Sequence, residues 1–209
     1  MSGVSSRRFA VTLYSGNTGL DDHRIRLILA EKGIQAKIEW VGGEGGGDAV
    51  HVEVPTEYGA GGELPVLVDR DLALYGVHGI IDYLDERYPH PPLMPMDPVS
   101  RARTRLAVHR VERDWYPAME AAAGDARRAR LGEALAEADE VFAAMPFFLS
   151  GAWSVLDAAV VPLLWRLPHY GIVLPETAAS VADYARRMFA RSAFRASLSA
   201  RERDMAQHR

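Results

Sequence analysis

Seven histidines, at positions 23, 51, 78, 90, 109, 169 and 208, are the side chains of this chain best suited to moving protons or holding a metal near neutral pH. No two stand four apart, the spacing that places two imidazoles on one helical face around a zinc ion. Cysteine is absent, which excludes disulfides, thiolate metal sites and a cysteine nucleophile. Asp21-Asp22, Asp69 with Asp71, and Asp85-Glu86 have the composition of acid–base dyads, but turn and helix-surface roles account for them. Gly42 to Gly47 carries five glycines around Glu44, yet lacks the Lys-Ser/Thr ending and the following helix of a phosphate loop, and reads as a connector. Pro89-His90-Pro91-Pro92 is different in kind. Each proline fixes φ and holds the residue before it extended, so His90 is presented with little ordering cost on binding. From the residues alone, a stiff interdomain linker with an incidental histidine is the favoured reading of the same run.

The elements that must position these residues fall into two groups. Phe9 to Tyr14 reads as a strand, ending in the turn formers Ser15, Gly16 and Asn17. A helix follows, with Asp21 or Asp22 to cap it, Ile25, Leu27, Ile28, Leu29 and Ala30 as apolar positions, and Gly33 as its stop. Ala36 to Val41, Val66 to Val68 and Leu72 to Tyr75 read as strands, and Val77 to Tyr88 as a helix. Five prolines, at 89, 91, 92, 95 and 98, then forbid a helix or central strand. The division expected is 1–88, a linker 89–98, and 99–209.

Beyond the linker the pattern is helical. Ala107, Val111, Trp115, Ala118 and Ala122 mark one face of a long helix that Pro117 should kink. Further helices are expected at Ala126 to Ala144, Val155 to Leu167, Thr177 to Ala190 and Ala193 to Gln207. Composition fits a globular chain, 48% apolar and 25% charged over 209 residues. Neither a membrane span nor a signal-type apolar run is visible, which makes the cytoplasm the expected location. A net charge of −4 argues against nonspecific nucleic-acid binding. Of 24 basic residues only Lys32 and Lys37 are lysine, a bias for which a GC-rich genome is the plainer account and bidentate anion contacts the other.

A β-α-β, β-β-α unit followed by a helical bundle resembles the glutathione-transferase superfamily. The implied fold class is α/β plus all-α: a thioredoxin-like N-terminal domain, then a glutathione-transferase-type helical C-terminal domain. Leu64-Pro65 matches the proline that follows a cis bond in thioredoxin-like folds, and Ser154-Val155-Leu156-Asp157 matches the box that starts the central helix. Pro65, Ser154 and Asp157 are therefore expected to be structural. The phrases Leu29-Ala30-Glu31-Lys32-Gly33, Leu67-Val68-Asp69-Arg70, Tyr83 through Pro95, and Pro162-Leu163-Leu164-Trp165-Arg166-Leu167-Pro168 resemble the stringent starvation protein A family, as do His109-Arg110 and Asp114-Trp115-Tyr116.

That resemblance implies a homodimer on RNA polymerase holoenzyme, including sigma factor, with Pro89, His90, Pro91 and Pro92 as the partner-binding segment. No cofactor, metal or membrane is implied, and DNA is reached only through polymerase. Against serine-type transferases, Gly19 and Leu20 fall where the catalytic hydroxyl belongs, and Gly76-Val77 where an acid–serine pair holds the γ-glutamyl carboxylate. Tyr14 and Ser15 are the remaining thiol activators. The expectation is a regulator without catalytic residues. The alternatives are a divergent glutathione-dependent transferase and a structural or heterodimer subunit. Gly76, Val77 and Asp97 depart from the family pattern, Asp97 standing where tyrosine is usual.

Overall fold

The computed structural model describes residues 10–42, 64–120 and 123–205. The expectations for Phe9, Gly43 to Gly47, His51, Ala122, Gln207 and His208 lie outside them. Strands β1 (Val11–Ser15), β2 (Ala36–Trp40), β3 (Val66–Asp69) and β4 (Leu72–Tyr75) form one sheet in the order β2-β1-β3-β4. β1 and β2 run parallel, joined by helix α1 (Leu20–Glu31), while β1–β3 and β3–β4 are antiparallel. Pro65 is buried at the start of β3, and the Leu64–Pro65 bond is cis. Helix α2 (Val77–Arg87) completes the N-terminal unit. Val11, Leu13 and Leu67 look toward the helices, whereas Tyr14 packs with Val66, Val68 and Ala73 on the opposite face, as period-2 alternation requires.

α1 is buried on nearly all sides, from Asp22 through Leu29, because it lies between the sheet and the helical unit. That unit contains α3 (Pro98–Asp114), α4 (Asp125–Glu137), α5 (Asp139–Ala144), α6 (Val155–Arg166), α7 (Ala179–Phe189), α8 (Ser192–Ser197) and α9 (Ala200–Asp204). α6 is its axis, with all of its residues buried.

Four expectations need correction. α1 is capped by neither Asp21 nor Asp22. Its N-cap is Gly19, which offers no side chain, and Asp22 reaches back to the Gly16 amide instead. α3 ends at Asp114 rather than kinking at Pro117, and a 3-10 turn, Tyr116–Met119, follows. Proline has no N–H and its ring would collide with the carbonyl one turn earlier, so the α-helix stops short of it. The helix expected at 126–144 breaks at Ala138, since the Asp139 carboxylate takes the Ser180 and Val181 amides at the start of α7, at 2.8 and 3.1 Å. The helix expected from Ala193 breaks after Ser197. Ser199 starts a new one as a capping box with Glu202, Ser199 N to Oε2 at 2.8 Å and Glu202 N to Ser199 Oγ at 3.0 Å.

Candidate functional site

The β1–α1 turn lies where the thiol-activating hydroxyl of a serine-type transferase is expected, and here three side chains hold four of its carbonyls. The carbonyls of Gly16, Asn17, Thr18 and Gly19 accept hydrogen bonds from Arg26, Ser199, Arg166 and Arg166 respectively, at 2.8, 2.6, 3.0 and 3.4 Å. A β-carbon at Gly19 would overlap the Asp22 carboxylate, and one at Gly16 would stand 3.1 Å from it. Burial raises the Asp22 pKa, opposed by the Gly16 amide and the Arg26 charge. Leu20 packs against the core. Ser15 is fully buried, donates to Gly16 O at 3.0 Å and accepts from Arg26 Nη1. Tyr14 is on the far face of the sheet from α1.

Below the turn is a buried ionic cluster for which composition gave no warning. Arg26, 3% exposed, gives Nη2 to both Glu202 oxygens at 2.7 Å and Nε to Ser197 O at 2.9 Å, with its guanidinium 5.0 Å from the centre of the Trp40 ring. Arg166 also donates to Glu202, to Pro162 O at 2.8 Å and to His23 Nδ1 at 2.9 Å. Burial, followed by the charges of Arg166 and Arg26, pushes the His23 pKa well below its usual value. The ring is therefore neutral, accepts at Nδ1, and donates from Nε2 to Ser197 Oγ at 3.0 Å. Charges removed this far from water must be paired and hydrogen-bonded, and these are. The readable signals were Arg24-Ile25-Arg26 inside an apolar helix and the Ser199-x-x-Glu202 spacing.

Gly76 opens α2 at φ +77° with no side-chain cap, so the γ-glutamyl position offers backbone amides and no carboxylate or hydroxyl of its own. Two residues on, His78 Nε2 lies 3.1 Å from Glu112, to which buried Arg24 also donates. The 154–157 box is built into the core: Leu156 N donates to Ser154 Oγ at 3.2 Å and Ser154 N to Asp157 at 2.9 Å. The same carboxylate accepts from Phe148 N at 2.9 Å and Tyr184 Oη at 2.6 Å.

Pro89, His90, Pro91 and Pro92 are all exposed and contiguous, whereas Leu93 and Met94 behind them are buried. Leu93 ties the two units together, its amide donating to Asp85 Oδ1 at 2.8 Å and its carbonyl accepting from Val155 N at 3.0 Å. Asp85 is thus not the helix-surface residue expected; its carboxylate faces inward to Lys32, whose Nζ is 2.9 Å away. Lys32 also donates to Tyr88 O at 2.6 Å and Pro91 O at 2.7 Å. Two of the sequence phrases, around Lys32 and around residues 83–95, therefore meet in space. Asp97 caps α3 through Val99 N and Ser100 N at 3.1 and 3.0 Å, and hydrogen bonds from Ser100 hold its carboxyl below the usual range.

Residues 23–87 match the family model described as "Glutathione S-transferase, N-terminal domain". A stringent starvation protein A homolog of Coxiella burnetii is 40% identical over 207 residues, covering 95% of this chain and 96% of that one. The homolog of Pasteurella multocida is 38% identical over 205 residues, covering 95% and 94%. Among solved structures, the theta class glutathione S-transferase of Xanthomonas axonopodis pv. citri, determined with glutathione bound, superimposes with a TM-score of 0.71 at 24% identity, over 91% of this chain and 98% of that one. The thioredoxin-like and helical arrangement is that fold.

Proposed function

The chain belongs to the stringent starvation protein A family, and from that premise we propose that it is an RNA polymerase-associated transcription regulator that acts by protein–protein binding, without transferase catalysis. In this reading residues 89–98 join an N-terminal unit, 1–88, to a helical unit, 99–209, and present Pro89, His90, Pro91 and Pro92 to the holoenzyme with its sigma factor. DNA is contacted only through polymerase, and the work is done in the cytoplasm. Among the described residues, no helix is long and apolar enough to cross a membrane.

The observation that carries the non-catalytic half is the packing of Asp22 against Gly19: a hydroxyl-bearing residue there would displace a carboxylate held by the Gly16 amide. Docking is supported by a segment whose side chains are exposed while its main chain is anchored on both flanks. Retention by RNA polymerase holoenzyme, wild type against His90→Ala, tests it; failure of the wild type to be retained at physiological salt rejects it.

The working unit is a homodimer. In the transferase fold the first domain of one subunit packs on the early bundle helices of the other, around a two-fold axis. Leu72 and Tyr75 on β4, and Val99 and Leu106 on α3, are exposed apolar residues that such packing would cover. The rival reading, a divergent glutathione-dependent transferase, has the uncapped start of α2 in its favour as an anion-attracting helix end. A conjugation assay and a glutathione titration decide it.

A further inference from the structure

We propose that Lys32 is the positioning residue that sets the shape of the docking segment at 89–92, an inference that rests on the docking role given to that segment. Lys32 follows α1 and its side chain is wholly buried. An ammonium has three N–H donors and no acceptor, and three acceptors surround this one: Asp85 Oδ1, Tyr88 O and Pro91 O. The two carbonyls bracket Pro89 and His90. Asp85 Oδ1, held by the same ammonium, takes the amide of Leu93. One cation thus ties the segment at 88, 91 and 93 while the side chains at 89–92 stay in solvent.

The segment cannot do this for itself. Prolines at 89, 91 and 92 contribute no N–H, so within residues 89–92 only His90 has a main-chain donor. A donor from elsewhere in the fold must satisfy the inward carbonyls, and α1 supplies it. Lysine suits the place in a way that arginine does not. A guanidinium brings five donors in a flat fork, two more than the acceptors present, and needs more room in a closed site. In a chain that uses arginine for all but two of its 24 basic residues, lysine stands where those three acceptors converge.

Lys32 is separable from the general stability of the interface, because Leu93 and Met94 anchor the stretch by apolar burial. Wild type, Lys32→Met, Lys32→Arg, Asp85→Asn, His90→Ala and the Lys32→Met/His90→Ala double variant of the full chain are compared by amide hydrogen exchange and by retention on RNA polymerase holoenzyme. In Lys32→Met, exchange at Tyr88 and Leu93 should quicken by about tenfold or more, with β1 and α6 unchanged. Holoenzyme retention should fall to that of His90→Ala, and the double variant should lose nothing further. Lys32→Arg should behave as Lys32→Met. If Lys32→Met does not fold, Asp85→Asn carries the same expectation, since it weakens one of the three bonds and the hold on Leu93. Unchanged exchange at Leu93, losses of retention that add, or full retention by Lys32→Arg overturns the proposal. If wild type itself is not retained, the docking reading fails, and exchange alone still decides whether Lys32 shapes the segment.

Discussion

The Asp22 carboxylate fills the space into which a side chain at Gly19 would project. Gly19 has φ −62° and ψ 141°, a conformation open to any residue, so glycine is required by crowding and not by backbone geometry. Gly19→Ser is therefore expected to gain no conjugating activity and to lose about 1–3 kcal/mol of stability through overpacking. A generic conjugation assay with urea unfolding checks both; turnover at an unchanged midpoint counts against the non-catalytic reading.

Glu202 serves two arginines. Glu202→Gln leaves Arg26 and Arg166 sharing a neutral amide in a site closed to water, and a loss of about 3–5 kcal/mol is expected. Urea unfolding measures it, and a loss below about 1 kcal/mol would mean that water reaches the cluster.

His23 makes stability depend on pH in a definite direction. Its folded pKa is depressed, so below the unfolded value of about 6.5 the unfolded chain binds a proton that the folded chain refuses. The contribution is complete above about pH 6.5 and drains away as pH falls, by up to about 1.4 kcal/mol per pH unit. Unfolding at pH 7.5 and 5.5 should show wild type losing more than His23→Gln does over the same interval. The comparison isolates His23 from Asp22 and Asp157, whose burial-raised pKa values act in the opposite sense.

Tyr184→Phe removes one of the donors to buried Asp157, a carboxylate that also starts α6 and holds the Phe148 amide. The expected cost is about 1–3 kcal/mol, read as a lower denaturant midpoint.

Leu106→Glu places a charge in the exposed apolar strip of α3 and should shift sedimentation from dimer to monomer with little change in helical content. An unchanged sedimentation coefficient would remove α3 from the interface.

The sequence carried the sheet, the order of elements and the box at 154–157, because these follow from alternation, capping chemistry and proline, all of which act locally. It misread the chain where a side chain serves a distant partner. Asp139 leaves its own helix to cap α7, and Asp85 turns inward to Lys32, 53 residues earlier. Neither choice is written in the neighbours of the residue concerned. The stiffness of the run at 89–92 was legible from its prolines, but the cation that ties it was not, since a single lysine after a helix carries no pattern.

Glu202 belongs to the last described helix, and the arginines it pairs lie on α1 and α6. During synthesis those helices leave the ribosome first, and domains begin to fold in that order. Until α9 emerges, neither guanidinium has its carboxylate and the turn before α1 lacks the Ser199 bond to Asn17. Closure of the turn before α1 thus waits for α9, and a chain cut short of Ser199 leaves Asn17 O and both guanidiniums without those partners.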